Sequence, residues 1–325
     1  MYRGRFAPSP TGDLHLGSAA CALVAWTWAR SQNGAFVVRV EDIDTPRVKA
    51  GVEGRQLEDL RWLGLDWDEG PDVGGAHAPY RQSERLARYD EALESLARRG
   101  LTYYCDCSRA DIARVASAPH EGEEGPRYPG TCRDLGMGER TWKRSPAIRL
   151  RVPDRDVQVD DLLQGSFSEN VSQRVGDFVL RRGDGVYAYQ LAVVVDDSAM
   201  GITDVVRGAD LLGSTARQIL LADLLGRSPP RYAHHAMVLA QDGERMAKRG
   251  GGATLRDARA AGRDSAAIVA ALAASLGIGP QGNPGETVTL GDVLRSFDPA
   301  PLCDCKSVTV AAGALIGAPR RDFGC

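Results

Sequence analysis

Arg5-Phe6-Ala7-Pro8-Ser9-Pro10-Thr11-Gly12-Asp13-Leu14-His15-Leu16-Gly17-Ser18 reads as a strand, a turn punctuated by proline and glycine, and the start of a helix. Working outward, the strand covers about 2–7, the helical pattern runs from about 15 to 30, and a second β-like run follows at 35–40. Strand, helix and strand in that rhythm predict a βαβ unit and a parallel sheet. The turn is also a place where an anion can sit. A helix N-terminus presents unpaired N–H groups and the positive end of its dipole, and His15 adds a donor for a phosphate. Gly17 lets a flat base or a ribose approach the backbone. Taken alone, the same stretch reads first as a capped helix with a surface histidine.

Further along, helices are expected at 52–63 and 83–99. From 101 to about 144 the pattern breaks into Cys, Gly, Pro and Arg, so something other than an apolar core should hold that stretch together. Strands are expected at 148–152, 178–181 and 203–206, with an apolar run at 191–195 and a helix near 209–225, as if the sheet resumed after an insertion. A strand near 236–240, a Gly-rich basic loop, two short helices at 254–261 and 265–276 and a Pro/Gly-rich tail complete the chain. The resulting division is 1–100 and 146–240 as two halves of a catalytic domain, 101–145 as an insertion, 241–279 as loop and short helices, and 280–325 as a tail.

The 325 residues are 43% hydrophobic and 26% charged, enough apolar content for at least one sizeable core. That composition excludes a disordered chain. There is no apolar run of membrane-spanning length and no signal-peptide pattern, so a cytoplasmic protein is expected. The net charge of −3 gives no global sign of a nucleic-acid partner, although a local basic face fits inside a neutral total. Seven cysteines without a secretion signal argue for free thiols or a metal site over a disulfide framework.

A second basic loop, Asp242-Gly243-Glu244-Arg245-Met246-Ala247-Lys248-Arg249-Gly250-Gly251-Gly252, gives the His15 turn a possible partner. A Gly-flanked lysine can fold over a polyphosphate and balance charge moving toward a leaving pyrophosphate. Together the two loops resemble the paired HIGH and KMSKS signatures of class I aminoacyl-tRNA synthetases. Three more blocks are similar to the glutamyl subgroup: the opening from Arg5 to Gly12, the strand with its acidic end Phe36-Val37-Val38-Arg39-Val40-Glu41-Asp42-Ile43-Asp44-Thr45-Pro46-Arg47, and the run from Tyr187-Ala188-Tyr189-Gln190 through Asp196-Asp197 to Arg207-Gly208-Ala209-Asp210.

The resemblance implies a Rossmann-like α/β catalytic domain with a parallel sheet, a zinc-binding insertion and a short helical C-terminal portion. It implies that Arg5, Ala7, Ser9, Glu41, Tyr189 and Arg207 bind L-glutamate, and that His15, Gly17, Ser18, Arg245 and Lys248 bind ATP with Mg²⁺, His15 and Lys248 acting in catalysis. The residue types suit the ligand. Glutamate carries two carboxylates and one ammonium, so its pocket needs guanidinium forks, an acid and orienting hydroxyls. Which arginine holds which carboxylate stays open.

In the weakly periodic stretch, Cys105-Asp106-Cys107 and Tyr128-Pro129-Gly130-Thr131-Cys132 offer three thiolates for a closed structural metal site, with zinc the natural occupant. The resemblance implies Tyr128 as the fourth ligand. Cys303-Asp304-Cys305 and Cys325 read as surface thiols.

Three departures from the full-length glutamyl pattern narrow the expectation. Only about 75 residues follow Lys248, too few for the usual helical anticodon-binding region, and Val193 stands where an asparagine is usual. In the ATP loop, Arg245 and Ala247 replace the usual lysine and serine. The first two point to the truncated branch of the subgroup. Its activity is activation of glutamate without tRNA, followed by transfer to the queuosine base at the wobble position of tRNA(Asp) instead of the 3′-terminal adenosine. A monomer is expected. The alternatives are a minimal enzyme charging a tRNA 3′ end and a non-catalytic RNA-binding paralogue. A zinc hydrolase is weaker, because three thiolates and a tyrosine leave no open coordination position.

Overall fold

The computed structural model describes residues 1–115, 126–135, 141–239, 254–280, 288–303 and 307–309. It begins with β1 (Arg3–Phe6), α1 (Leu16–Ser31), β2 (Ala35–Val38), α2 (Val52–Trp62) and α3 (Leu86–Arg98). Next come β3 (Thr102–Cys105), α4 (Arg109–Val115), β4 (Ala147–Leu150), β5 (Asp156–Asp161), β6 (Gly165–Asn170), α5 (Val171–Arg174) and β7 (Val179–Arg181). The second half holds α6 (Tyr189–Ala199), β8 (Asp204–Gly208), α7 (Thr215–Leu224), β9 (Arg231–His235), β10 (Met237–Leu239), α8 (Leu255–Ala260), α9 (Ser265–Leu276), α10 (Leu290–Arg295) and β11 (Ser307–Thr309).

Parallel pairs β1–β2, β8–β9 and β5–β9 form the central sheet, and Thr203 N donating to Arg3 O at 3.0 Å sets the start of β8 beside β1. The order across the molecule is therefore β2, β1, β8, β9, β5, with β6 added antiparallel at the edge. Strands buried on both faces need apolar residues on both, which is why β2 reads Ala-Phe-Val-Val. On one face lies α1, whose sequence Leu-Gly-Ser-Ala-Ala-Cys-Ala-Leu-Val-Ala-Trp-Thr-Trp is apolar nearly all round because sheet and C-terminal helices cover it from both sides. Helices α3, α6 and α7 pack on the other face. Antiparallel β3, β4 and β7 make a second small sheet.

The elements expected before residue 100 are present to within a few residues. Differences concentrate where polar side chains break the apolar pattern. No strand was expected at 156–170, yet β5 and β6 form a hairpin there; β5 buries only alternate residues, Val157, Val159 and Asp161, while Asp156, Gln158 and Asp160 face water. Strand β9 was equally unexpected, since His234 and His235 interrupt its apolar run while being buried at 0% and 2% exposure. The helix expected from 209 begins as a tighter 3₁₀ turn, Ala209–Ser214, before α7. Within the expected tail, α10 forms behind a capping box in which Thr289 and Asp292 satisfy each other's backbone N–H groups.

Candidate active site

Backbone pairing continues beyond the ends of β1 and β2. Arg39 N donates to Phe6 O at 3.0 Å and Glu41 N to Pro8 O at 2.9 Å, which sets the Ser9 turn beside the acidic end of the second strand. Arg5 is buried on β1 at 5% exposure. Its Nε lies 3.5 Å from Asp197 Oδ1 and makes no hydrogen bond, leaving a desolvated donor for an incoming acid. Arg39, wholly buried, spans Asp197 Oδ1 at 2.6 Å and Glu41 Oε1 at 3.2 Å. Burial pushes the Glu41 carboxyl above the ordinary glutamate range, and Arg39 and Arg5 offset this only in part. Burial pushes Asp197 the same way, but Arg39 and Arg5 outweigh it and hold that carboxyl below its ordinary value.

From the opposite side, α6 brings Tyr189 and β8 brings Arg207. Arg207 Nη1 lies 3.5 Å from Tyr189 Oη, while its Nε donates to His234 Nε2 at 2.8 Å and its Nη2 to Thr215 Oγ1 at 3.1 Å. Burial raises the Tyr189 phenol, and Arg207, Glu41 and Arg5 all act on it electrostatically. The fold thus gathers Arg5, Glu41, Tyr189 and Arg207 from four elements. Ser9, Glu41 and Tyr189 line a cleft of about 950 Å³, as do Cys107, Arg109 and Arg149. Ala7 sits partly buried between β1 and the turn. Val193 is 1% exposed, in the apolar cluster under α6.

His15 is the N-cap of α1 in extended conformation, and no side chain caps the first turn, so its N–H groups there are not claimed by a cap. Gly17 and Ser18, both partly buried, occupy that turn. Leu255 N donates to Leu14 O at 2.9 Å and Thr254 bridges His15, so the start of α8, which follows the basic loop in sequence, is tied to the start of α1. Arg245, Ala247 and Lys248 lie outside the described residues, as do Cys305 and Cys325; Cys303 is exposed.

The sulfurs of Cys105, Cys107 and Cys132 lie within 4.8 Å of one another. Tyr128 Oη is 3.3 Å from Cys105 Sγ and accepts from Cys132 N at 2.9 Å, which places a fourth donor beside the thiols. Burial pushes the Cys107 thiol up to about 12, an effect a bound cation would reverse by stabilising thiolates. The donor set suits a thiophilic metal. Arg149 stacks over the Tyr128 ring at 3.8 Å and also lines the cleft, so this knuckle and the cleft share a wall.

The sequence reading gave no role to Arg39, Asp161, Asp196, Asp197 or His234. The available signal was charge inside apolar strands and helices: Arg39 follows Phe-Val-Val, and Asp196-Asp197 end the run from Leu191. Asp196 is fully buried and receives Arg85 Nε at 2.6 Å, Tyr89 Oη at 2.8 Å and Gln82 Nε2 at 3.0 Å.

Class I adenylate-forming chemistry on an amino acid is what such a sheet, helix start and charged cleft define, and the chain belongs to the family described as tRNA synthetases class I (E and Q), catalytic domain, which it matches over residues 1–309. More particularly, it is 50% identical over 291 residues to the glutamyl-Q tRNA(Asp) synthetase of Symbiobacterium thermophilum, covering 87% of this chain and 89% of that one. The glutamate–tRNA ligase of Heliobacterium modesticaldum is 43% identical over 300 residues, which span 91% of this chain and 60% of the ligase. Among solved structures, the glutamate-tRNA synthetase of Elizabethkingia anophelis superimposes with a TM-score of 0.77 at 28% identity, covering 96% of this chain and 68% of that chain.

Proposed function

We propose that this protein activates L-glutamate with ATP and transfers the glutamyl group to the queuosine base of tRNA(Asp). The observation that carries this reading is the half-identity with a glutamyl-Q tRNA(Asp) synthetase over nearly the full length of both chains. Glu41 takes the ammonium of glutamate, Arg5 and Arg207 take its carboxylates, and Ser9, Tyr189 and the backbone at Ala7 orient it. Glutamine is disfavoured because its neutral amide would leave a buried guanidinium unpaired.

The α-carboxylate of glutamate attacks the α-phosphorus of ATP and pyrophosphate leaves; a ring hydroxyl of queuosine then attacks the adenylate carbonyl and AMP departs. No covalent nucleophile from the protein is needed. His15 and the N–H groups at Gly17 and Ser18 hold the triphosphate, with Arg245 and Lys248 supplied by the loop tethered at Leu255, and Mg²⁺ accompanying ATP as substrate. Positioning and fixed positive charge carry the rate. Cys105, Cys107, Tyr128 and Cys132 would hold Zn²⁺, which supplies a structural cross-link. A cytoplasmic monomer completes this reading; among the described residues no helix is long and apolar enough to cross a membrane.

The test is ATP-dependent incorporation of labelled glutamate into tRNA(Asp) with and without queuosine, the label being located by nuclease digestion. Label on the anticodon fragment, dependent on queuosine, is expected. Label at the 3′ end would make this a minimal charging enzyme. Absence of both label and glutamate-dependent pyrophosphate exchange would leave a non-catalytic RNA-binding protein.

A further inference from the structure

Behind Arg207 stands a chain of buried polar groups that the reaction itself does not use. An imidazole nitrogen that accepts from an arginine N–H carries no hydrogen, so the 2.8 Å contact from Arg207 Nε fixes the His234 proton on Nδ1. That nitrogen faces Asp161 Oδ2 at 2.5 Å. The other oxygen, Asp161 Oδ1, accepts from Leu163 N at 3.0 Å, Gln164 N at 2.9 Å and His234 N at 3.1 Å. Exposure is 5% for Asp161, 0% for His234 and 3% for Arg207. The hairpin turn therefore orients a carboxylate, the carboxylate orients an imidazole, and the imidazole orients a guanidinium.

We infer that Asp161 and His234 are positioning residues for substrate recognition: by fixing one imidazole tautomer they fix the plane of the Arg207 guanidinium, so that the edge beside Tyr189 meets a carboxylate of the amino acid. This rests on the proposed role of Arg207 in glutamate binding. A charge-assisted N–H bond from Nη1 to a carboxylate depends on its alignment, and alignment is what a free side chain lacks. The relay removes that freedom. Thr215 Oγ1 at 3.1 Å and Leu211 O at 3.3 Å both accept from Arg207 Nη2, so Nη1, beside Tyr189, is the nitrogen left to face the substrate.

Asp161→Asn distinguishes positioning from mere packing. The asparagine keeps its volume and an acceptor for the three backbone N–H groups, but its amide donates toward His234 Nδ1. The imidazole proton must then move to Nε2, where it points at the Arg207 Nε–H, and the guanidinium turns away. In glutamate-dependent ATP–pyrophosphate exchange we expect the glutamate KM to rise about 10- to 100-fold, with the ATP KM within about twofold of wild type. A folded Asp161→Asn protein with an unchanged glutamate KM, or with both KM values raised alike, overturns the inference. Should that variant not fold, His234→Gln and His234→Ala replace it. The glutamine, able to donate to Asp161 and accept from Arg207, is expected to hold the glutamate KM closer to wild type than the alanine; equal values overturn the inference. Arg207→Lys separates the two levels. If it leaves the glutamate KM unchanged, the role of Arg207 fails; if it raises KM while Asp161→Asn does not, only the positioning relay fails.

Discussion

A buried charge is costly unless something answers it, and most of the unusual residues here answer one another in pairs. Arg39 is held between Asp197 and Glu41, while the Arg5 Nε makes an ion pair but no hydrogen bond. Glu41 is the member whose protonation matters for substrate. Its carboxyl is raised by burial, so it begins to take up a proton above the ordinary glutamate range and then no longer attracts an ammonium. The glutamate KM should accordingly climb as pH falls, beginning above the range where an ordinary glutamate titrates, while the ATP KM stays level. Glu41→Gln should raise the glutamate KM at every pH by roughly 10- to 100-fold, as loss of a charge-assisted bond of about 1.5–3 kcal/mol implies, and should flatten that profile. Exchange kinetics across a pH series checks both; a wild-type profile no steeper than that of the variant would count against Glu41 as the ammonium partner. Glu41 was legible in the sequence because it ends a recognisable strand. Its dependence on Asp197 through Arg39 was not, since the Arg39–Asp197 contact joins residues 158 positions apart.

Single elements carry the next set of consequences. Strand β9 buries His234, and burial, outweighing the hydrogen bond His234 donates to Asp161, brings its pKa from 6.5 down to about 4. The unfolded chain takes up a proton near pH 6.5 that the folded strand refuses until about pH 4, so this contribution is complete above 6.5 and is lost as pH falls through that window. Its full size is of order 3 kcal/mol. Urea midpoints measured from pH 7 to 4 should fall, and His234→Gln should fall less steeply, His235 remaining as a second imidazole lowered by burial. A different element, the turn after α5, depends on glycine. Gly176 has φ +76°, and a Cβ there would meet Tyr128 O at 2.4 Å, with Tyr128 N already bonded to Val175 O at 3.0 Å. Gly176→Ala should cost about 1–3 kcal/mol and displace Tyr128 from the thiols. Thermal melts together with bound-metal analysis test this; unchanged metal content would show that Tyr128 is dispensable to the site.

At the scale of the whole molecule, a charged cleft is lined by the turns after β1 and β2, the start of α6 and the cysteine knuckle. Cys105→Ser should lower metal content and melting temperature together, and should raise the glutamate KM because Cys107, Arg109 and Arg149 form a wall of that cleft. Elemental analysis of chelator-free protein decides it, equal metal in variant and wild type removing the site. The sequence by itself determined the first βαβ unit and the order of the motifs, because apolar periodicity and short-range turn chemistry are local properties. It also placed Cys105, Cys107, Tyr128 and Cys132 together as candidates. Only the tertiary structure decided that β5 and β6 form an edge hairpin, that His234 is a buried strand residue, and that Asp161, 73 positions away, holds it against Arg207. Those features depend on desolvation and on partners supplied by distant segments, and in a linear reading a buried charge with its partner elsewhere looks the same as a charge in water.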